Sequence, residues 1–133
     1  MSTIELGNDT FMSTVLGEGI TIVDFWAEWC RPCRQFGPIF EEASTRHEDI
    51  RFAKVNTELE QQLAGEAGIS SIPTLMAFRD GVLLFNQAGA LPGDALEQLI
   101  AALRAVDMDA VRAEVAKEQA AHQASLSEDS TAD

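Results

Sequence analysis

Apolar segments of strand character alternate along this chain with segments of helical periodicity. Residues 20–26 are β-branched and apolar on both faces, which is typical of a strand in the middle of a sheet. Arg79-Asp80-Gly81 joins two of the other strands, and Asp-Gly is a strong hairpin signal. A further short strand is expected near Ile4. The main predicted strands are 20–26, 50–56, 74–78 and 82–85.

Helical signals fill the intervals between these strands. Asn8 or Asp9 is predicted to cap a first helix that ends near Leu16. Pro32 suits the first turn of a second helix, where a missing N–H has no helical partner to lose. Pro38 lies inside that helix and is expected to kink it. Further helices are predicted over 58–67 and from residue 92 to residue 103.

The order of elements predicts an α/β fold. Alternating strands and helices give parallel pairing, and the hairpin adds antiparallel strands. We therefore expect a central mixed sheet of four to five strands, flanked by helices on both faces. Residues 1–106 are predicted to form this domain, and 107–133 an acidic, Ala-rich extension. Within the extension, 110–124 favours a helix and the polar segment 125–133 favours disorder.

Charge and hydropathy indicate which partners are unfavourable and in which compartment the protein is expected. The net charge is −13 over 133 residues, so nucleic acid and anionic membrane surfaces are unfavourable partners. No apolar stretch reaches the roughly 18 residues that a membrane-spanning helix requires. The first six residues show no basic segment followed by an apolar one. We therefore expect a cytoplasmic protein. The apolar stripe of the extension is too weak to predict a coiled coil, and we expect a monomer.

The only two cysteines, Cys30 and Cys33, are spaced Cys-x-x-Cys. They follow the predicted central strand and precede a helix, where the helix dipole and free N–H groups favour a thiolate. Cys30 is predicted to be the exposed nucleophile, and Cys33 the more buried thiol that resolves a mixed disulfide. The alternative is half of a zinc site, but only His47 and His122 could complete it, and neither is close in sequence. His47 is instead expected to interact with the C-terminal end of its helix.

The cysteine segment resembles the active-site segment of the thioredoxin family. The resemblance rests on Val23 to Cys33, and continues downstream with Phe36-Gly37-Pro38 and with Lys54 in the following strand. It also includes Ile72-Pro73-Thr74 and the glycine turn at Ala88-Gly89-Ala90. It covers roughly residues 4–105. The resemblance implies a thioredoxin fold, and a protein-disulfide reductase that needs no bound cofactor or metal. Its electrons would come from an upstream reductase such as thioredoxin reductase.

The resemblance also implies roles for single residues. Cys30 attacks the substrate disulfide and Cys33 releases the reduced product. Asp24 lies in an otherwise apolar strand, so burial should raise its pKa and fit it to accept the Cys33 proton. Lys54 corresponds to the lysine that pairs with this carboxylate. Pro73 corresponds to a cis-proline that faces the disulfide. The expected substrate-binding surface is formed by Trp29, Arg31, Pro32, Ile72, Pro73, Gly89 and Ala90.

Arg31 departs from the family pattern, which has glycine between the first cysteine and the proline. A cation beside Cys30 should favour its thiolate and make the disulfide a somewhat stronger oxidant. The function expected from sequence is therefore reduction of protein disulfides through a reversible Cys30–Cys33 bond. A more oxidising disulfide-exchange protein is one alternative. A non-catalytic binding or chaperone module of the same fold is another.

Overall fold

The structure, a computed structural model, describes residues 3–131, with side chains described as far as residue 124. The described chain contains five strands and five helices. The strands are β1 (Thr3–Glu5), β2 (Ile20–Trp26), β3 (Arg51–Asn56), β4 (Thr74–Arg79) and β5 (Val82–Ala88). The helices are α1 (Phe11–Val15), α2 (Arg31–Arg46), α3 (Gln61–Glu66), α4 (Gly93–Ala105) and α5 (Met108–Thr131).

All five strands join one mixed sheet in the order β1-β3-β2-β4-β5. β1 and β2 pair with β3 in parallel, and β4 pairs antiparallel with both β2 and β5. Asp24 on β2 is opposite Lys54 on β3 and Leu75 on β4. The α/β fold and the mixed sheet predicted from sequence are confirmed.

The two faces of β2 contribute to different parts of the core. Ile20 and Ile22 pack in a cluster that includes Phe36 and Phe40 of α2. Val23 and Phe25 pack in a second cluster, on the opposite face. Because side chains alternate along a strand, Asp24 and Trp26 share the α2 face with Ile20 and Ile22. The buried carboxylate and the cysteine helix thus lie on the same side of the sheet.

Two helices begin later than the sequence predicts. Neither Asn8 nor Asp9 caps α1; the N-cap is Thr10, whose hydroxyl accepts a hydrogen bond from the Gly7 N–H at 3.0 Å. α3 begins at Gln61 rather than at residue 58. The Asn56 side chain accepts from the N–H groups of residues 58 and 59, at 3.0 and 3.3 Å, and holds this segment as a turn.

The predicted hairpin between β4 and β5 is confirmed. Asp80 and Gly81 both have positive φ, 52° and 82°, as the tight turns that join two strands require. The Asp80 carboxylate also accepts from the Gly19 N–H at 2.8 Å. β5 continues three residues beyond the predicted end at Phe85, and a register shift between Ala77 and Phe78 accompanies it.

The chain divides into two compact units, residues 1–103 and 104–133. α5 lies in the second unit and continues through Thr131, into the segment for which composition predicts disorder. Residues 132 and 133 lie outside the described residues. Over the described part of the chain, none of the helices has the length and apolarity needed to cross a bilayer.

Candidate active site

The two cysteines lie where the C-terminal end of β2 leads into the N-terminus of α2. They are joined as a disulfide, with their Cα atoms 5.2 Å apart. Cys30 is the N-cap of α2, and its Sγ accepts a hydrogen bond from the Cys33 N–H at 3.2 Å. The helix therefore directs a donor and the positive end of its dipole at the Cys30 sulfur, and both favour a thiolate after reduction.

Both sulfur-bearing residues are buried in the disulfide form. Cys30 and Cys33 are each only 4% exposed, so the prediction of an exposed Cys30 and a more buried Cys33 is wrong for this state. Ala27 packs with the cysteines, and Trp26 and Ile72 cover the cluster further. In this state both cysteines lie in one small apolar cluster, which accounts for their similar exposure.

Asp24 is completely buried in the central strand, which excludes a position at the sheet edge. Neither carboxylate oxygen has a hydrogen-bond partner among the described residues. Burial raises the pKa of Asp24 from 3.8 to about 7, against the opposing effect of the Lys54 cation. An unsolvated carboxyl with a pKa near neutrality is suited to exchange a proton with a nearby thiol.

Lys54 lies directly opposite Asp24 on the neighbouring strand β3. Its ammonium group lies 4.5 Å from the centre of the Trp26 ring, a distance typical of a cation–π contact. The side chain is half-buried and makes no hydrogen bond to the Asp24 oxygens. The expected pairing of Lys54 with Asp24 is thus electrostatic, without a hydrogen bond.

The loop before β4 contains a cis peptide bond between Ile72 and Pro73. The Pro73 carbonyl accepts from the Gly89 N–H at 2.8 Å, which ties the end of β5 to this loop. Thr74 caps the same loop by donating its hydroxyl to the Ser71 carbonyl at 2.6 Å. Gly89 and Ala90 are solvent-exposed, whereas Pro73 is buried.

An open cavity of about 540 Å³ lies beside the disulfide. It brings together five of the predicted site residues, Trp29, Cys30, Arg31, Pro32 and Ile72. Pro73, Gly89 and Ala90 do not line it. The other side of the cavity is formed by residues that the sequence analysis missed, from the turn after β3, from α3 and from the loop that follows α3. These additional lining residues are Thr57, Gln61, Ala64, Gly65, Ile69, Ser70 and Ser71.

Trp29 is 66% exposed at the rim of this cavity, which is unusual for a large aromatic side chain. Its indole N–H donates to the Glu58 carboxylate at 2.7 Å. Glu58 lies in the turn that Asn56 holds in place. This hydrogen bond holds the exposed Trp29 ring next to Cys30. It could not be predicted from sequence, because Trp29 and Glu58 are 29 positions apart and only the fold brings them together.

Among the described residues, no group of three or more His, Cys, Asp or Glu side chains is arranged to hold a metal ion. His47 lies at the C-cap of α2, and its Nε2 is 2.8 Å from a Glu97 oxygen. The His47 ring therefore contacts a carboxylate of α4, and its expected interaction with the helix end stays a prediction.

The fold and the site together define a class of protein. A disulfide at a strand-to-helix junction, with a helix N–H on the first sulfur and a buried carboxyl on the same side of the sheet, is equipped for reversible thiol–disulfide exchange. The molecule is a thiol–disulfide oxidoreductase.

Comparisons with known proteins give the family. The sequence profile of the family described as Thioredoxin matches residues 2–102. The protein named "Putative thioredoxin 2" of Streptomyces coelicolor is 50% identical over 119 residues, which cover 90% of this chain and 89% of that protein. The thioredoxin of Bacillus subtilis is 36% identical over 93 residues, which cover 69% of this chain and 89% of the relative.

A solved structure agrees with these sequence relationships. The crystal structure of Malassezia sympodialis thioredoxin (Mala s 13) superimposes with a TM-score of 0.68 at 31% identity. The match covers 76% of this chain and 92% of that one. The chain belongs to the thioredoxin family. Proteins of this family are disulfide oxidoreductases that need no cofactor, with protein disulfides as substrates and a reductase as partner.

Proposed function

We propose that this thioredoxin works as a protein-disulfide reductase in the cytoplasm, as a monomer that receives its electrons from a thioredoxin reductase. Cys30 is the attacking residue, Cys33 the resolving residue and Asp24 the proton acceptor. The observation that carries this assignment is the Cys33 N–H directed at the Cys30 sulfur. Cys30 receives this stabilisation, and no such donor to the Cys33 sulfur is found among the described residues, so Cys30 is the one that forms the more reactive thiolate.

The reaction proceeds in two exchanges that balance atoms and electrons. The Cys30 thiolate attacks one sulfur of the substrate disulfide, a mixed disulfide forms, and the other substrate sulfur leaves as a thiolate. Cys33 then transfers its proton to Asp24 and attacks the Cys30 sulfur. The Cys30–Cys33 bond forms and the second substrate thiolate leaves. Two electrons have passed to the substrate, which takes up two protons from water.

The substrate backbone is proposed to lie against Trp29, Pro32, Ile72, Pro73, Gly89 and Ala90, around the disulfide. The large exposed area of Trp29 and the open cavity lined by Trp29, Pro32 and Ile72 support one part of this surface. The support for the other part is the exposure of Gly89 and Ala90 and the hydrogen bond from the Gly89 N–H to the Pro73 carbonyl. Trp29 is held by Glu58, so the ring presents a fixed apolar face at little entropic cost when a substrate binds.

Insulin reduction with dithiothreitol or a thioredoxin reductase as electron source tests the proposal. The wild-type protein should be active, Cys30→Ser inactive, and Cys33→Ser should accumulate a stable mixed disulfide through Cys30. Absence of activity in the wild type would instead favour a binding or chaperone module. Stable trapping through residue 33 in Cys30→Ser, but not through residue 30 in Cys33→Ser, would reverse the assigned roles.

Arg31 supports a second candidate, a more oxidising exchange protein. Its side chain is exposed beside Cys30, and a cation there favours the thiolate and hence the reduced form. Because the charge is screened by solvent, we expect Arg31→Gly to lower the reduction potential only modestly. Arg34→Ala, an exposed cation further along α2, is the matched control. Equal potentials for wild type and Arg31→Gly would remove the basis for this candidate.

A further inference from the structure

Three ionisable residues form a row across three adjacent strands of the sheet. Glu5 on β1 is in register with Lys54 on β3, and Lys54 is in register with Asp24 on β2. In-register residues of parallel strands point to the same face of a sheet. The row therefore places one ammonium group between two carboxyl groups, all on the side that α2 covers.

The row leads from the protein interior to solvent. Asp24 is completely buried, Lys54 is half-buried and Glu5 is exposed. At its outer end lies a cavity of about 310 Å³. Glu5 and Trp26 both line this cavity, and the Lys54 ammonium lies over the Trp26 ring. Glu5 is therefore the member of the row most open to solvent, and Asp24 the member least open to it.

A third carboxylate approaches the row from α2. The Glu41 Oε2 accepts from the Thr3 hydroxyl at 2.9 Å, which places Glu41 next to β1. Its Oε1 is buried and has no hydrogen-bond partner among the described residues. Burial is the largest cause of the raised pKa of both Asp24 and Glu5; Lys54 lowers both values, whereas Glu41 raises the pKa of Glu5 and Glu5 raises that of Asp24. One cation thus acts on two carboxyl groups.

We propose that Glu5 is a positioning residue for the thiol chemistry, because it competes with Asp24 for the Lys54 ammonium and so keeps Asp24 a stronger proton acceptor for Cys33. Without Glu5, the whole field of Lys54 would stabilise the Asp24 carboxylate. Asp24 would then ionise more easily and hold a proton less firmly. The inference rests on the proposed role of Asp24, but its electrostatic part is independent of any activity.

The test is a titration of Asp24 in the oxidised protein, followed by the NMR resonance of its side-chain carboxyl carbon. Two strand spacings separate β1 from β2, roughly 10 Å. At that distance one partly screened charge changes a pKa by on the order of half a pH unit. Glu5→Gln should lower the pKa of Asp24 by this amount, and Glu5→Asp should restore most of the difference.

Glu60→Gln is the matched control, because Glu60 lines the same cavity but lies outside the row. It should leave the Asp24 titration unchanged. The pH profile for alkylation of Cys33 in the reduced Cys30→Ser protein should move with the Asp24 titration in Glu5→Gln. An Asp24 pKa that is equal in wild type, Glu5→Gln and Glu60→Gln would overturn the proposal. Absence of insulin reduction by the wild-type protein would contradict the proposed function instead. The Asp24 titration would still test the effect of Glu5, because it does not depend on activity.

Discussion

Asp24 is the residue at which stability and chemistry conflict. A carboxylate with no exposed surface and no hydrogen bond among the described residues is expensive to ionise. The neighbouring strand supplies a cation in register, yet the pKa of Asp24 remains raised, because the cost of desolvation exceeds the attraction of Lys54. A group selected only for stability would be apolar here, as its neighbours Val23 and Phe25 are.

Asp24→Asn should make the oxidised protein more stable at alkaline pH. The folded pKa of about 7 lies above the unfolded value near 3.8, so the folded state binds a proton that the unfolded state has lost in this interval. The contribution of Asp24 to stability is complete below pH 4 and is lost as the pH rises through 7. At pH 8 the substitution should therefore raise the free energy of unfolding by on the order of 1–4 kcal/mol, because the neutral amide avoids burying a charge but leaves its own polar atoms unpaired.

Denaturant unfolding at pH 5 and pH 8 measures this effect. The wild type should lose stability between the two values, and Asp24→Asn should lose much less. Asp9→Asn, at an exposed aspartate of the same domain, should retain the wild-type dependence. Identical pH dependence in wild type and Asp24→Asn would show that Asp24 ionises over the same range in the folded and unfolded chain. The same substitution should slow the resolving step by Cys33 near neutral pH.

At the scale of secondary structure, the sequence predicted best where local signals and tertiary packing agree. β2 begins and ends where its β-branched, apolar pattern indicates, because both of its faces are buried. The Asp80-Gly81 turn was also predictable, since the two positive φ angles restrict the choice of residues. β5 extends past its apolar part because Asn86 and Gln87 pair with β4 through their backbones. Their side chains are polar, so the hydrophobic pattern of the sequence does not reveal this pairing.

The site was only partly predictable, because some of its features are local in sequence and others depend on tertiary packing. The Cys30–Cys33 spacing and the following helix are local features, and they indicated the disulfide correctly. The wall of the cavity formed by α3 depends on a tertiary approach of distant segments. The contact from Trp29 to Glu58 depends on where the turn after β3 ends, and that turn was assigned to a helix. Helical periodicity cannot show that the Asn56 side-chain oxygen accepts hydrogen bonds from the N–H groups of residues 58 and 59 and so delays the start of the helix.

The C-terminal end of α2 is joined to α4 by a small ionic cluster. Glu97 of α4 accepts from Arg46 at 2.9 Å and contacts the His47 ring nitrogen at 2.8 Å. These contacts lower the pKa of Glu97, with the Arg46 hydrogen bond as the largest cause. The stabilisation is therefore present above the ordinary pKa of 4.5 and is lost as the pH falls through the lower folded value.

Glu97→Gln should lower the free energy of unfolding at neutral pH by up to about 1 kcal/mol, since these charges are largely solvated. The loss should become smaller in strong acid, where Glu97 of the wild type is protonated. Glu42→Gln is the control, because it removes a contact to Arg46 within α2 and leaves the link between the helices intact. An equal loss in both variants would mean that the connection to α4 contributes no more than the contact within α2, and no loss in Glu97→Gln would mean that it contributes nothing.

At the scale of the whole molecule, the active site and its supporting core lie entirely within the first unit. The thioredoxin profile ends at residue 102, close to the boundary of that unit at residue 103. The match to the Streptomyces relative covers 90% of this chain, so it extends beyond the profile into α5. The extension is therefore shared with at least one relative, although no residue of the proposed mechanism lies in it.

Removal of residues 109–133, which keeps the buried Met108, should leave both folding and disulfide reduction intact. Beyond Met108, α5 has only a weak stripe of small apolar residues, Val111 and Val115 among alanines, and such side chains offer too little apolar area for stable helix association. Full-length and truncated proteins should both be monomers by light scattering, with matching insulin-reduction rates and matching denaturation midpoints. A dimer that becomes monomeric on truncation would identify α5 as an association segment. A lower denaturation midpoint in the truncated protein, with both proteins monomeric, would instead mean that α5 stabilises the thioredoxin domain of its own chain. The stability of the fold would then depend on residues beyond those that the family profile matches.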